Sequence, residues 1–391
     1  MPRPAQRAMR ALPVLEPRRD ALEKCVFCPK LCRSACPVSN AEPRETITPW
    51  GKMSAAWLSA HGDVPISSSH AAPAWACTGC YACRESCDHR NVVADVLLDA
   101  RDALAQTGVA PAGARRAVAR FTRHDARTRA AARALAAQAT DARVRPDAGS
   151  ALLVGCGYLR AARREARDAI EAATALSGQP VALIEACCGL PLLLAGDARG
   201  FAQQARDVAR TLARYDRVWV ADAGCALALK RRYLDAGVPL RPPVETLVEA
   251  AARSLEALAP IDWRDSRDEE RPVRWHDPCQ LGRGLGVYDA PRLVLTRALG
   301  RAPDEMEERR EQAVCSGAGG LLPSTMPGVA RAIADARLQA HRRAGGGRVV
   351  TACASSLIAL RRRAIGSGVA VDDLVTWIAR AARPELRSSS P

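Results

Sequence analysis

Short apolar runs alternate with amphipathic helical patterns across residues 149–385. The strand-like runs are ALLVGC, VALIEACC and RVWVADAGC, and then VRWHDPC and RVVTAC. Apolar residues recur at helical spacing over 159–176 and 198–214, and again over 291–299 and 327–343. This alternation predicts parallel βαβ units, whose functional residues gather at the carboxyl ends of the strands.

The region contains an internal repeat. Each half opens with an apolar run that ends at a cysteine, has a central Cys-x-Gly and finishes with a strand-like run into a last cysteine. The cysteines are Cys156, Cys187, Cys188 and Cys225 in the first half, and Cys279, Cys315 and Cys353 in the second. Cys187 to Cys225 and Cys315 to Cys353 share the same 38-position interval, which favours duplication of one unit.

Eight further cysteines form two tight runs near the amino end. The runs are Cys25-x2-Cys28-x3-Cys32-x3-Cys36-Pro37 and Cys77-x2-Cys80-x2-Cys83-x3-Cys87. Three close cysteines on a loop can surround one [4Fe-4S] cluster, while the fourth reaches a second cluster. The spacing therefore predicts two [4Fe-4S] clusters with crossed ligands. Cys25, Cys28, Cys32 and Cys87 would bind one cluster, and Cys77, Cys80, Cys83 and Cys36 the other.

Zinc and disulfide bonds are the other common uses of so many cysteines. Zinc sites usually take two cysteines from each of two separated knuckles, whereas each run here supplies four. Disulfide frameworks belong to small secreted domains, and the N-terminus lacks the apolar segment of a secretory signal. We therefore expect a reducing, cytoplasmic location and iron–sulfur ligation, with zinc as the alternative.

The cysteine runs and the repeat divide the chain into five segments. Residues 1–20 are expected to be a flexible arm. Residues 21–105 are expected to be an α-helical ferredoxin domain, because helix-forming sequence follows the second cysteine run. The Ala- and Arg-rich residues 106–148 are interpreted as a solvated helical connector. Two duplicated α/β cysteine-rich domains are expected at 149–260 and 271–385.

The cysteines of the repeat predict a third metal site. Gly189 permits a tight turn after two adjacent cysteines, so both thiolates can point toward one centre. With the flanking cysteines, the first half offers four thiolates, which is enough for a third iron–sulfur cluster. The second half offers three, with Ser316 in place of an adjacent cysteine. In both halves the alternative is that the cysteines are small buried apolar residues at strand ends.

The remaining motifs indicate no catalytic residue. His276 is interpreted as a core residue rather than one that tunes a cluster. CSGAGG is interpreted as a turn, because no Lys-Ser/Thr follows it as in a phosphate-binding loop. No Rossmann fingerprint is found, so no flavin or nicotinamide site is expected on this chain. The other histidines form no constellation in the sequence: His61, His70, His89, His124 and His341.

The formal net charge of +15 bears on partners. A basic surface favours docking to an acidic protein or to an anionic membrane face. No nucleic-acid module accompanies the charge, so nucleic acid is not expected as a partner. No apolar run approaches the ~18 residues of a transmembrane segment. We expect a cytoplasmic protein that could also be peripheral on the inner face of the cell membrane.

Four segments resemble a known family: LLVGC, ACCGLP, WHDPCQLGRGLGVYDAPR and CSGAGGLLP. They are similar to the duplicated cysteine-rich CCG domain of heterodisulfide reductase subunits, of the glycolate oxidase iron–sulfur subunit and of the matching subunit of the anaerobic glycerol-3-phosphate dehydrogenase. With the ferredoxin runs in front, the resemblance covers about residues 21–385. It implies an electron-transfer subunit that takes electrons from a flavin dehydrogenase of the 2-hydroxy-acid or glycerol-3-phosphate type and passes them toward quinone or another acceptor.

The sequence also departs from heterodisulfide reductase. Those subunits carry a further cysteine three positions after the last one of each half, where this chain has Ala228 and Ser356. The second CCG is CSG. The resemblance therefore favours the glycolate and glycerol-3-phosphate type of subunit. A disulfide-reducing enzyme that uses Cys187 and Cys188, and a zinc-stabilised binding scaffold, are the alternatives.

Overall fold

The computed structural model describes residues 8–28, 30, 32–140, 142–261 and 272–382, which form two compact units. The α-helices are α1 (Arg19–Val26), α2 (Pro37–Ala41), α3 (Pro49–His61), α4 (Ser68–Trp75), α5 (Ala82–Glu85), α6 (Val93–Gln106), α7 (Ala112–Ala119), α8 (Phe121–Ala136), α9 (Cys156–Ala161), α10 (Arg163–Ser177), α11 (Leu190–Ala195), α12 (Ala198–Leu212), α13 (Ala223–Leu227), α14 (Tyr233–Asp235), α15 (Leu247–Arg253), α16 (Gly282–Leu285), α17 (Asp289–Leu299), α18 (Leu322–Thr325), α19 (Pro327–Arg343), α20 (Ala354–Ala364) and α21 (Leu374–Ala381). The strands are β1 (Ser150–Leu153), β2 (Ala182–Leu183), β3 (Arg217–Val220), β4 (Val244–Thr246), β5 (Val273–Trp275), β6 (Asp304–Glu305), β7 (Arg348–Thr351) and β8 (Ala370–Asp373). Short 3-10 turns occur at Pro13–Arg18, Arg33–Ala35, Glu45–Ile47, Leu255–Ala257 and Arg310–Gln312, and a π-helical turn at Ala228–Arg232.

The first unit is helical, as the sequence predicted. It contains Met1–Phe121 and two later segments of the chain, Pro191–Gly200 and Val314–Ala334. Its apolar core includes the fully buried side chains Leu15, Leu22, Met53, Val96 and Leu97. The two later segments complete this unit, because Ala195 and Leu322 belong to its apolar clusters.

The amino-terminal arm differs from its expectation. Residues 1–7 lie outside the described residues. From residue 8 onward the segment is packed, since Met9, Leu12 and Leu15 are buried in the core of the first unit. The three-residue spacing of these apolar side chains resembles that of a helical turn, and Leu15 lies within the 3-10 turn at Pro13–Arg18.

Helix α3 lies between the two cysteine runs in sequence and is strongly delimited. The Thr48 side chain accepts a hydrogen bond from the Gly51 amide at 3.0 Å, and Pro49 occupies the first helical position. Gly62 ends the helix in the left-handed conformation, with φ of 78°. A side-chain cap of this kind typically contributes about 1 kcal/mol. These signals fix where α3 begins and ends.

The second unit contains two four-stranded parallel sheets. The strand order is β2-β1-β3-β4 in one sheet and β6-β5-β7-β8 in the other. The two orders are the same when the strands of each sheet are counted from its own first strand. This confirms the predicted duplication and the predicted parallel βαβ architecture.

Both halves of the repeat share one interface inside the second unit. Helix α10 packs against α21, and α15 packs against α17. The Tyr158 hydroxyl donates to the Asp373 carboxylate at 2.6 Å, and the Ala354 amide donates to Asp222 Oδ1 at 2.8 Å. Elements of the first half therefore need those of the second to satisfy their buried polar groups.

Two boundaries differ from the sequence prediction. The helix expected over 159–176 is divided into α9 and α10 because the backbone of Ala162 is not helical, with φ of −145° and ψ of 62°. The Ala- and Arg-rich stretch is helical, but Ala114, Thr128 and Ala132 are buried, so it is packed rather than solvated. The predicted junction between the two cysteine-rich domains, residues 261–270, lies outside the described residues except for Ile261, and so does the predicted end at residue 385.

Candidate metal centres

One cysteine quartet surrounds a small cavity in the first unit. Its members are Cys25, Cys28, Cys32 and Cys87. Cys25 lies near the end of α1, and Cys87 follows α5. These are the four residues that the spacing assigned to one cluster, and the structure brings their side chains together. Their ligation of iron remains a prediction.

Amide donors approach the sulfur atoms of this quartet. Asn91 Nδ2 donates to Cys25 Sγ at 2.9 Å, and the Lys30 amide donates to Cys28 Sγ at 3.4 Å. Burial raises the pKa of Cys25 to about 12, although the Asn91 hydrogen bond opposes the rise. Burial and the neighbouring thiols raise the pKa of Cys32 to about 11. Such closely grouped thiols become thiolates together only if cations neutralise them, which iron does in an iron–sulfur cluster.

The second quartet surrounds an adjoining cavity. Its members are Cys36, Cys77, Cys80 and Cys83. Cys83 and Val93 line both cavities. The Gly79 amide donates to Cys77 Sγ at 3.4 Å, from a glycine with φ of 68° that allows the loop to curl around the sulfur. Burial also raises the pKa of Cys77 and, to a greater extent, that of Cys83.

A buried lysine lies in the second cavity. Lys52 on α3 is 2% exposed, and its Nζ donates to Cys36 Sγ at 3.2 Å. Burial by itself would lower the pKa of Lys52, but the charges of Cys36, Cys77 and Cys83 outweigh burial and raise it. No carboxylate among the described residues pairs with this ammonium group. Its positive charge is therefore directed at the cysteines.

Arg101 on α6 ties four backbone segments together beside the same cavity. Its guanidinium donates to the carbonyls of Ala74, Cys77, Leu194 and Gly320 at 2.8–3.1 Å. Arg101 is 2% exposed, and burial lowers its pKa to about 10, so it remains charged near neutrality. Leu194 and Gly320 belong to the two later segments of the first unit, which this one side chain anchors next to Cys77.

The CSGAGG run forms a turn, as predicted, and its glycines permit a close backbone approach. Gly317 and Gly320 have φ of 78° and 64°. A Cβ at Gly319 or Gly320 would collide with the backbone of Cys77 or Thr78. Cys315 at the start of this run is buried and accepts a hydrogen bond from the Gly317 amide at 3.4 Å. Cys315 therefore lies in the first unit, whereas Cys279 and Cys353 lie in the second.

The second unit brings four thiols of the first half together. Each side chain is in hydrogen-bonding contact with the next one in the series Cys156, Cys187, Cys188 and Cys225. The contact with Cys187, together with burial, raises the pKa of Cys156 well above its ordinary range. For Cys225, burial and the charge of Asp222 outweigh the contact with Cys188 and raise the pKa to about 12. These are the four residues of the predicted third site.

A histidine that the sequence left without a role joins this group. The ligand atoms of His124, Cys156 and Cys187 all lie within 4.8 Å of one another. Arg160 Nη1 lies 2.6 Å from His124 Nδ1, and burial lowers the pKa of His124, as does the charge of Arg160. A neutral imidazole and thiolates are both metal ligands. His124 is therefore a fifth candidate ligand, contributed by α8.

The topology explains why these cysteines meet. Cys156 follows β1 and Cys225 lies in the helix after β3, and these two strands are neighbours at the centre of the sheet. Chain connections leave in opposite directions on either side of such a pair, which opens a crevice at the carboxyl ends of the strands. Asp222 caps α13 in this crevice by accepting from the amides of Gly224 and Cys225.

The structure corrects the equivalence of cysteines between the halves. Strands β3 and β7 are followed by helix caps at Asp222 and Cys353, respectively. Cys353 therefore corresponds to Asp222, and Ser356 corresponds to Cys225. The intervals Cys187–Cys225 and Cys315–Cys353 are equal in length, but their last cysteines do not occupy equivalent positions in the two halves. In the first half the position of Cys353 is occupied by Asp222, three residues before Cys225, so Ala228 and Ser356 are not equivalent positions.

The second-half cysteines are divided between the two units, with Cys315 in the first and the other two in the second. Cys279 follows β5 at the position that Cys156 occupies after β1. Burial, with the charge of Asp222, raises the pKa of Cys353 to about 12. His276 is a buried core residue: burial lowers its pKa to about 3, and Arg337 Nε lies 3.4 Å from its Nδ1. These groupings show no complete quartet among the described residues of this half.

Comparison with known proteins agrees with this architecture. Residues 21–91 match the family model of the 4Fe-4S dicluster domain, and residues 150–230 and 273–361 each match that of the cysteine-rich domain. The chain belongs to the CCG-domain iron–sulfur subunit family. The matches lie on the helical unit and on the two parallel-sheet halves. This membership agrees with iron–sulfur chemistry at the cysteines and gives no support to a zinc scaffold.

Relatives of this CCG-domain protein include methanogen reductase subunits. One is a dihydromethanophenazine:CoB–CoM heterodisulfide reductase subunit from Methanosarcina barkeri, which is 26% identical over 92% of this chain and 94% of that protein. The corresponding protein of Methanosarcina mazei is 34% identical over 40% of this chain and 39% of that protein. A fumarate reductase (CoM/CoB) subunit from Methanothermobacter marburgensis is 30% identical over 43% of this chain and 32% of that protein. None of the described helices is both long and apolar enough to cross a membrane.

Four residues of these sites escaped the sequence analysis: Asn91, Lys52, Arg101 and His124. Asn91 lies four positions after Cys87, so its proximity to the motif was a usable signal. Lys52 is one of few lysines in an arginine-rich chain, and it lies in an otherwise apolar stretch of α3. Arg101 and His124 are distant from their partners in sequence, and no local pattern distinguishes them from the many other charged residues nearby.

Proposed function

We propose that this protein is the iron–sulfur electron-transfer subunit of an oxidoreductase complex, with two [4Fe-4S] clusters in its first unit. The observation that carries the proposal is the arrangement of eight cysteines as two quartets around two cavities that share Cys83. Adjoining clusters would let electrons pass between them. The backbone and Asn91 donors to sulfur fit thiolates that hold a negatively charged cluster.

The donor is proposed to be a flavin dehydrogenase of the 2-hydroxy-acid or glycerol-3-phosphate type, and the acceptor quinone or another oxidant. Support comes from the resemblance of the sequence to subunits of that type and from the names of the relatives, which are subunits of larger reductases. The net charge of +15 suits an acidic partner or an anionic membrane face. Electron transfer through the clusters requires no catalytic residue, and none is proposed for it.

Anaerobic reconstitution with iron and sulfide tests the cluster proposal. We expect about eight iron and eight acid-labile sulfide per chain for two cubanes, and more if the thiols of the second unit also bind. Dithionite should produce an electron paramagnetic resonance (EPR) signal of two interacting clusters. Purified protein that contains zinc and no labile sulfide, and stays magnetically silent on reduction, would contradict the proposal.

A second candidate function is reduction of a disulfide at the thiols of the second unit. It is favoured by the contact series Cys156–Cys187–Cys188–Cys225 and by the relative named as a heterodisulfide reductase subunit. Asp222, at the position that corresponds to Cys353, reduces the number of thiols available for such a site. Turnover of a disulfide with a chemical reductant, lost in Cys188→Ser, would support this candidate. Absence of turnover in fully loaded protein would exclude it.

A further inference from the structure

A cleft of about 680 Å³ opens in the first unit, and neither cysteine quartet lines it. Helices α3 and α4 and the turn Glu45–Ile47 form most of its wall, with contributions from Thr325 and Met326. Its surface is mainly apolar and includes two indole rings, Trp50 and Trp75. Its size lies within the range of about 300–1,000 Å³ that small-molecule pockets show.

Two residues that line the cleft each carry a polar atom without a hydrogen-bond partner among the described residues. The atoms are Trp75 Nε1 and Ser54 Oγ, and both are buried. Trp75 is 1% exposed, so water does not readily replace a partner. A buried donor without a partner costs about 1–3 kcal/mol. A ligand with carbonyl oxygens would satisfy both groups, since an indole N–H only donates and a hydroxyl can donate.

The cleft also adjoins the first cysteine quartet. Trp50 lines the cleft and lines the cavity of Cys25, Cys28, Cys32 and Cys87 as well. Its Nε1 is held by the Val26 carbonyl at 3.1 Å, which fixes the orientation of the ring. A molecule in the cleft would thus be separated from the first quartet by one indole ring. That proximity suits a molecule that exchanges electrons rather than one that is only stored.

A proton acceptor is present in the same lining. His70 Nδ1 lies 2.8 Å from the Pro65 carbonyl, so in the neutral ring Nδ1 carries the proton. The other nitrogen, Nε2, is then unprotonated and can accept. His70 is half-buried on α4 and lines the cleft. A carbonyl compound that is reduced and protonated could exchange a proton with this side chain.

We propose that this cleft binds a quinone, with Trp75 Nε1 and Ser54 Oγ donating to its carbonyl oxygens. The inference rests on the proposed function and names the acceptor site within it. The quinone gains two electrons, supplied through the cysteine-lined centres by the reduced flavin of the partner dehydrogenase. It gains two protons from water, one of them exchanged at His70, and leaves as the quinol. The flavin is oxidised in the same cycle.

Binding of 2-methyl-1,4-naphthoquinone to oxidised, cluster-loaded protein tests the proposal without turnover. Titration calorimetry should give one site, and Trp75→Phe and Ser54→Ala should each weaken binding about two- to ten-fold, the effect of one hydrogen bond. Ala55→Trp, which adds an indole to the lining, should abolish binding. EPR signals equal to those of the native protein would show that each variant is folded and loaded.

Helix α3, which carries Ser54, also supplies matched controls. Trp57 Nε1 and Ser59 Oγ are also buried without partners among the described residues, but neither residue lines the cleft. Trp57→Phe and Ser59→Ala should leave quinone binding unchanged. Equal weakening by the control variants would overturn the proposal, as would binding of naphthalene, which has no carbonyl groups, with the same affinity as the quinone.

The outcomes separate this inference from the electron-transfer proposal. Loaded protein with normal EPR signals that binds no quinone would overturn the cleft assignment and leave electron transfer standing. Protein that binds quinone through Trp75 and Ser54 but contains no iron–sulfur cluster would do the reverse. Rapid reoxidation of dithionite-reduced protein by the quinone, slowed in Trp75→Phe and normal in Trp57→Phe, would support both.

Discussion

Lys52 Nζ lies 3.2 Å from Cys36 Sγ, inside the second cysteine cavity and out of contact with solvent. The lysines that line the first cavity, Lys24 and Lys30, keep 45% and 37% of their side chains exposed, so solvent screens their charges. A buried positive charge stabilises the more negative, reduced form of a neighbouring cluster. The two candidate clusters are therefore expected to differ in reduction potential, with the Cys36 cluster the higher.

Replacing Lys52 by methionine should lower one of the two midpoint potentials. A unit charge about 5 Å away at an effective dielectric of about 20 contributes about 3 kcal/mol, which is on the order of 100 mV for one electron. An EPR-monitored redox titration measures the shift. The control is Lys24→Met, since Lys24 is exposed and paired with Asp20 at 2.6 Å. Two unshifted potentials in Lys52→Met, with both signals intact, would contradict this account.

The crossed ligand pattern predicts for which double substitutions the losses of iron add. Cys36→Ser and Cys77→Ser affect the same candidate cluster, so combining them should cost no more than about four iron atoms. Cys36→Ser with Cys28→Ser affects both clusters and should cost about eight. Iron and labile sulfide analysis after reconstitution provides the measurement. If Cys36→Ser and Cys28→Ser together cost only one cluster, the ligands are not crossed.

Removal of Arg101 should destabilise the first unit. In Arg101→Met four carbonyls lose their donor, and each of the fully buried hydrogen bonds, those to Ala74 and Gly320, leaves an unsatisfied group that costs about 1–3 kcal/mol. Lysine keeps the charge but cannot reach all four acceptors, so Arg101→Lys should be intermediate. Differential scanning calorimetry of loaded protein gives the ranking. Arg115→Met is the control, because that side chain donates to a single carbonyl, Ala110 O. Equal melting temperatures for Arg101→Met and the control would refute the anchoring role.

The second unit should lose stability as pH rises from about 4 to 8. Burial raises the pKa of Asp373 from its usual value to about 8, although the Tyr158 hydroxyl opposes the rise. The folded protein therefore holds a proton that the unfolded chain has released, and the free energy of unfolding falls by up to about 1.4 kcal/mol per pH unit in this window. Thermal unfolding at several pH values measures the slope. Asp373→Asn should flatten it.

The neighbouring carboxylate offers the matched control for that experiment. Asp372 lies on the same strand, β8, and is paired with Arg348 at 2.6 Å. Asp372→Asn removes an ion pair but should keep the pH slope. A slope that persists in Asp373→Asn would assign the titration to another buried group, such as Asp222, whose pKa is also raised by burial.

Recruitment of His124 gives a spectroscopic prediction. If the four thiols of the second unit bind a metal, His124→Ala should alter the EPR or Mössbauer spectrum of that third centre and leave the signals of the first unit unchanged. His61→Ala serves as a control, because His61 is buried on α3 in the other unit and its Nδ1 contacts the Trp57 carbonyl. An identical third-centre spectrum in His124→Ala would remove His124 from the ligand set.

Local spacing carried much of the information about these sites. The grouping of cysteines into quartets could be predicted because the runs are short and the chemistry of a cubane restricts how four thiolates meet. The parallel sheets could be predicted because apolar runs alternate with helical patterns. Arg101 and His124 could not, since each acts on partners that only tertiary packing brings near. The equivalence of Cys225 and Cys353 was wrong because counting residues cannot detect a shift of three positions in a helix cap.

The composition of the first unit imposes an order on its biosynthesis. Ala195 and Leu322 are parts of its apolar clusters, and Leu194 and Gly320 accept from Arg101. These residues are translated well after the two cysteine runs, the second of which ends at Cys87. The first unit can therefore be completed only after residue 334 has been synthesised, and we expect a fragment truncated at Phe121 to leave part of the apolar core of this unit exposed to solvent. If the clusters form as proposed, we expect their insertion to follow the synthesis of most of the chain.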